Sequence, residues 1–134
     1  MKSLDTSVLV RYYTADDAKQ HAAAVAVLKG EEALFVPKTV VQELWWVLTK
    51  AKPYQFADGK VSKVIAHLAG LGNIVLEDAG VVAMALKYQQ QGVEFTDALH
   101  LASSVGCGQL LTFDSAFKKR TAKLKTQPIC IIPT

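Results

Sequence analysis

The sequence predicts an α/β fold built on a parallel sheet with helices on both faces. Three observations carry that expectation. Short apolar runs alternate with longer helical patterns along the whole chain. The runs lack the in–out alternation of a strand with one wet face, so they fit strands buried on both sides. At 134 residues, 51% apolar and 20% charged, the chain suits one well-filled core and is too apolar for disorder. No repeat, low-complexity tract or long linker divides it, so residues 1–134 are expected to form a single domain.

Met1–Leu4 is the first expected strand. Thr6–Thr14 reads as a helix, and Asp16–Gly30 as a second whose stop is Gly30. Ala33–Val36 is a buried strand ended by Pro37. Thr39 is expected to open a helix to about Ala51, with Gln42 as its capping-box partner. Asp58 caps a helix to about Leu71, and Asn73–Leu76 is a strand. Asp78 caps a long helix to Gln91, closed by Gly92. Thr96 or Asp97 caps a helix to about Val105. Gln109–Thr112 is a strand, Ser115–Arg120 a short helix, and Ile129–Ile132 the last strand before Pro133.

Composition narrows the setting. No apolar run approaches the ~20 residues of a membrane helix, and Met1 leads into a strand with no signal-peptide pattern, so no membrane partner and a cytoplasmic location are expected. Cys107 and Cys130 lack metal-site spacing and read as buried small hydrophobes. The net charge of +3 conceals an asymmetry: residues 115–134 hold five basic residues and no acid. Lys118, Lys119, Arg120, Lys123 and Lys125 form this segment, which suits either a polyanion partner or plain solvation.

The acids separate by position. Asp16, Asp58 and Asp78 look like helix caps. Asp5 and Asp114 each follow a strand at its carboxyl end, where open α/β sheets bind ligands. Asp97 opens an apolar helix between Phe95 and Leu99. Each of these three can also be a cap. Glu43 is mid-helix, at the edge of a face formed by Val40, Leu44, Val47 and Ala51, and either meets a cation or pairs with Lys38 or Lys50. Four converging carboxylates would repel; two charges ~4 Å apart cost about 4 kcal/mol at an effective dielectric near 20. A hard divalent cation, Mg²⁺ or Mn²⁺, resolves that and activates water against a phosphate.

In sequence, these acids lie in four motifs. Leu4-Asp5-Thr6-Ser7-Val8-Leu9, Val41-Gln42-Glu43-Leu44-Trp45-Trp46, Phe95-Thr96-Asp97-Ala98-Leu99-His100 and Leu111-Thr112-Phe113-Asp114-Ser115 occur in that order. Together they resemble the PIN-domain ribonucleases, in particular the VapC-type toxins of type II toxin–antitoxin pairs. The resemblance implies a three-layer α/β/α sandwich with a central five-stranded parallel sheet and Mg²⁺- or Mn²⁺-dependent endonucleolytic cleavage of RNA. It also implies dimerisation and inhibition by a small cognate antitoxin. It makes Asp5, Glu43, Asp97 and Asp114 the catalytic acids, with Asp5, Asp97 and Asp114 on the metal. Thr6 and Thr112 are expected to support them with hydroxyls, and Lys118, Lys119, Arg120 and Lys123 to hold the RNA.

A PIN-like module that binds RNA or protein without cutting is the alternative; an intact acid quartet argues against it. His100, one turn after Asp97, either touches substrate or merely bonds at the helix surface. On the third helix Trp45 flanks the core stripe and Trp46 lies on the polar side, either exposed or tucked under the Lys52–Asp58 loop. Val8, Leu9, Tyr12 and Tyr13 with Trp45 and Trp46 are expected to offer a partner groove.

Overall fold

In the computed structural model, which describes residues 1–134, the apolar runs become strands and the periodic segments helices. The chain divides into two units, Met1–Ala79 and Gly80–Thr134. In the first, β1 (Lys2–Ser3), β2 (Leu34–Val36) and β3 (Ile74–Leu76) pair in parallel in the order β1-β2-β3. Lys2 lies opposite Leu34, and Leu34 opposite Ile74. Parallel neighbours need crossovers, supplied here by α1 (Thr6–Thr14) and α2 (Ala18–Leu28), then by α3 (Lys38–Lys50) and α4 (Asp58–Gly70). The central strand is the apolar one, with Leu34 and Val36 fully buried, whereas the edge strand β1 is short and exposed.

The structure moves several helix starts. Asp17, not Asp16, caps α2 through its bond from the Gln20 amide. No capping box forms at α3: Thr39 is already inside the helix, Pro37 precedes it, and the Lys38 amide donates to Glu77 Oε1 at 2.8 Å. Asp58 is a first-turn residue without a capping bond. Asp78 sits at positive φ and pairs with Lys38 Nζ at 2.9 Å.

The buried stripe of α3 also differs from expectation. Val41, Leu44, Trp45 and Leu48 are buried, an i, i+3, i+4, i+7 pattern, while Val40 and Val47 are only half-buried. The stripe turns because α3 packs against both α1 and α4 and must bury the face between them. Glu43 consequently lies on the exposed side rather than at the core edge.

The second unit contains α5 (Ala79–Gln90, from its second residue), α6 (Phe95–Ser103), β4 (Gln109–Leu111), α7 (Ser115–Leu124) and β5 (Ile129–Ile131). β4 and β5 pair in parallel, Leu110 opposite Cys130, with α7 as their crossover. All five expected strands are present, paired as three and two. Phe95, Val82, Ala85, Ala98 and Leu101 are fully buried. α7 runs four residues beyond the expected Arg120, because Phe117 and Thr121 bury one face and Lys125, in the left-handed region, ends it. Cys130 is buried as expected, but Cys107 is exposed in the turn after α6.

Asn73 is a joint that composition does not reveal. Its side-chain amide donates to the carbonyls of Leu28, Gly30 and Glu32, tying the end of α2 to the start of β3. Its own carbonyl accepts from the Leu34 amide at 2.8 Å. Asn73→Ala should destabilise the protein by about 1 kcal/mol, because the part-buried Leu28 carbonyl and the exposed Gly30 and Glu32 carbonyls lose their donor. Chemical denaturation followed by circular dichroism measures this; an unchanged midpoint would show that water replaces the amide without loss.

Candidate functional site

β1 ends at Ser3, two residues before Asp5, which places the Asp5 carboxylate just past the carboxyl end of the strand. Asp5 occupies the N-cap position of α1 with extended backbone, yet its side chain makes no capping bond. Its carboxylate accepts from Ser7 Oγ at 3.2 Å. It lines a cleft of about 330 Å³ with Thr6, Ser7, Val10, Arg11, Glu43, Val47 and Tyr54. Thr6 Oγ1 is buried and has no hydrogen-bond partner, an orphaned polar atom in the cleft wall. Glu43 makes no ion pair with Lys38 or Lys50; Lys38 is taken by Asp78. Asp5 and Glu43 therefore share one cleft, both exposed to solvent.

Arg11 on the same wall was not anticipated by any motif. Its Nε donates to Gln20 Oε1 at 2.7 Å, and its Nη1 to Asp16 Oδ1 at 2.9 Å. Tyr54, from the segment between α3 and α4, approaches Arg11 Nη1 at 3.3 Å and donates a short hydrogen bond to Asp16. The Tyr54 hydroxyl, then that of Thr14, hold the Asp16 carboxyl below its ordinary range, and Arg11 adds to this. The residue expected to cap α2 is instead half of an ion pair.

In the second unit, Glu94 rather than Thr96 or Asp97 caps α6. Its carboxylate accepts from the amides of Thr96 at 2.9 Å and Asp97 at 3.3 Å. The Asp97 side chain is thereby released from capping. It lines a cleft of about 210 Å³ with Gly92, Val93, Glu94, Asp114, Ala116, Phe117 and Arg120. Burial raises the Asp97 carboxyl above its ordinary value, and the neighbouring Glu94 and Asp114 carboxylates raise it further, against a smaller opposite effect of His100. Asp114 caps α7, one oxygen accepting from the Phe117 amide at 2.9 Å. Thr112 Oγ1 accepts from the Asp114 amide at 3.0 Å, so this hydroxyl orients the backbone that carries the acid.

The basic segment is divided. Arg120 lines the Asp97–Asp114 cleft and lies over Gly92, where a Cβ would approach its Nη1 to 3.1 Å. The positive φ of Gly92, 103°, is what requires glycine; the Arg120 guanidinium would only have to shift slightly for a Cβ. Lys118 and Lys125 line a different groove of about 270 Å³ with Thr121, Thr126 and Ile129. Lys119 and Lys123 are exposed on α7 and line neither.

The acids thus come as Asp5 with Glu43, and as Asp97 with Asp114 and Glu94; no group of three or more side chains stands in metal-ligating placement. The donors are carboxylate oxygens, the class that hard divalent cations take. The donor type suits such a cation, and the like charges around Asp97 are what it would neutralise, but neither cleft by itself brings a complete ligand set together.

The expected partner groove is only partly available. Trp46 is 58% exposed, but Trp45 and Leu9 are buried. The Tyr13 hydroxyl bonds to His67 Nδ1 at 2.8 Å, and burial raises its proton affinity. His100 is exposed on α6, where its carbonyl accepts from Ser104 Oγ.

A family model described as "PIN domain" matches residues 3–123. No curated protein matches the chain. No helix is long and apolar enough to cross a membrane.

The raised affinity of Asp97 for its proton sets a pH dependence. A carboxyl whose folded-state affinity exceeds its unfolded one destabilises the fold above the folded pKa, and that penalty vanishes below the unfolded value, about 3.9. Asp97→Asn should therefore raise the melting temperature at pH 7, and the gain should fade as pH drops toward 3.9. Thermal melts across that window measure it. An equal gain at both ends would mean that the effect is packing, not charge.

Proposed function

The chain belongs to the PIN domain family, and from that premise we propose that it is a metal-dependent endoribonuclease, the toxin of a toxin–antitoxin pair. PIN domains are typically nucleases, and a nuclease of the hydrolase class is what the family match supports. The observation that carries the finer reading is that Asp5 and Asp97, both at helix starts, make no capping bond. Acids placed at helix openings and left uncapped are available for ligation.

In this reading residues 1–134 act as one domain. Asp5, Asp97 and Asp114 hold Mg²⁺ or Mn²⁺, which when bound supplies an activated water and charge stabilisation at the phosphate. Glu43, solvated and without an ion pair, accepts the proton from the attacking water. Thr6 offers a free hydroxyl beside Asp5, and Thr112 holds the Asp114 backbone. Lys118, Lys119, Arg120 and Lys123 attract the RNA backbone, with Arg120 nearest the acids of its own unit. The protein acts in the cytoplasm as a homodimer, and a small antitoxin docks through the exposed Trp46 side of α3.

Asp5→Asn and Asp97→Asn should each lower RNA cleavage at least about a hundredfold, as removing a charge-stabilising group from a reaction centre does, with circular dichroism unchanged. Near-wild-type cleavage by either variant overturns the mechanism. RNA binding without any Mg²⁺-dependent cleavage by the wild type would instead mark a binding module. Neutralising Lys118, Lys119 and Lys123 together should flatten the slope of log K against log salt by about 2, at ~0.7 per single-strand phosphate contact. An unchanged slope would return these lysines to solvation.

A further inference from the structure

Arg11 has a position and a set of anchors that the acids do not explain. It lies on α1 two turns after Asp5, and no motif of the sequence singles it out. Its backbone carbonyl bonds to His21 Nδ1 at 2.9 Å, which fixes the turn that carries it. Its guanidinium is planar, and two of its three nitrogens are already engaged: Nε with Gln20, Nη1 with Asp16 and Tyr54. Two fixed nitrogens fix the plane, and the remaining nitrogen, Nη2, keeps both its N–H donors without a partner in the protein. The side chain is about a third exposed. It lines the cleft of Asp5 and Glu43, and also an adjoining groove of about 490 Å³ between α1 and α2, with Ser7 common to both.

An ion pair made only for stability does not need this arrangement. At such exposure a lone Arg11–Asp16 bridge adds little to stability, because solvent screens it. Three anchors from α2, from the α1–α2 turn and from the segment after α3 hold one arginine at a cleft wall with a donor edge unused. The ordering cost of that side chain is met in the free protein, so a ligand that accepts two hydrogen bonds binds to it without meeting that cost again. The acceptor that suits a guanidinium edge and a nuclease substrate alike is a phosphodiester oxygen.

We infer that Arg11 binds a backbone phosphate of single-stranded RNA at the Asp5–Glu43 cleft. Asp16, Gln20 and Tyr54 are its positioning residues. The inference rests on the nucleic-acid substrate proposed above, but not on cleavage. It also assigns the α1–α2 groove: with Arg11 shared by groove and cleft, the nucleotide next to the bound phosphate lies along Val8, Ala23 and Val27.

The test is binding of a fluorescent single-stranded RNA oligomer to the full chain, with a chelator present so that nothing is cut, over a series of salt concentrations. Arg11→Ala should weaken binding about tenfold at low salt, the loss of a charged hydrogen bond, and reduce the salt slope by about 0.7. Arg11→Lys should keep the slope and recover only part of the affinity, because a lysine retains charge without the fork. Tyr54→Phe leaves the charge in place and frees the guanidinium, so it should weaken binding a few-fold at unchanged slope. If Arg11→Ala does not fold, Arg11→Lys and Tyr54→Phe carry the test. Wild-type affinity in both of those variants, or a wild type that binds no RNA, overturns the inference. RNA bound in an Arg11-dependent way by a protein that never cuts it supports the inference and removes the nuclease reading. Cleavage by the wild type with unaltered binding by Arg11→Ala does the reverse.

Discussion

The first amides of a helix must find acceptors, and which residue supplies them decides what every nearby acid is free to do. At α6 the Glu94 carboxylate serves the Thr96 and Asp97 amides. Asp97 is left with a carboxylate that has no backbone partner and two like-charged neighbours. At α3 the same need is met from a distance, by Glu77 reaching the Lys38 amide from the far end of β3. At α1 no side chain caps the helix, and Asp5 touches only Ser7. At α7 the acid does both jobs: one oxygen of Asp114 caps the helix and the other is uncommitted. The chemistry of each cleft follows from this division of capping duty.

Electrostatics then distinguishes the two acidic clefts. In the first unit the acids are solvated, and an arginine stands on the wall with its own counter-ion, so charge is balanced locally. In the second unit three acids crowd, and Arg120 shares the cleft while it lies over Gly92 and pairs with none of them within ion-pair distance. The strained group is therefore Asp97. Local repulsion of this kind trades stability for affinity toward a cation, which is the usual arrangement where carboxylates are gathered for work.

The scaffold that sets these positions is small. Three strands of two or three residues hold the first unit in parallel register, and the burial of Leu34 and Val36 on the central strand anchors them. Because the strands are short, the links at their ends matter as much as the ladder. Asn73 ties β3 to the end of α2, and Glu77 and Asp78 both reach the start of α3. Asp5 follows an edge strand whose one partner is β2, and the Leu4 amide bonded to the Phe35 carbonyl holds the backbone just before it while the carboxylate meets only the Ser7 hydroxyl.

The sequence by itself determined the order of strands and helices, the parallel pairing, the placement of Trp46 on the polar side of α3, and the four acids that stand apart from the ordinary caps. These depend on hydrophobic period and on the few residues around each turn, which act locally. It did not determine which acid capped which helix, because Asp, Glu and Thr all accept an amide bond and only the approach of the chain selects among them; so Asp17 stood in for Asp16, and Glu94 for Asp97. Nor did it determine the buried face of α3, which depended on having α1 and α4 as neighbours. Arg11 was invisible for the same reason. Its partners Asp16, Gln20 and Tyr54 lie five, nine and forty-three residues away, and only the folded chain brings them to one guanidinium. Local pattern is set by the covalent neighbours of a residue, whereas the state of a charged side chain is set by whatever the fold places beside it.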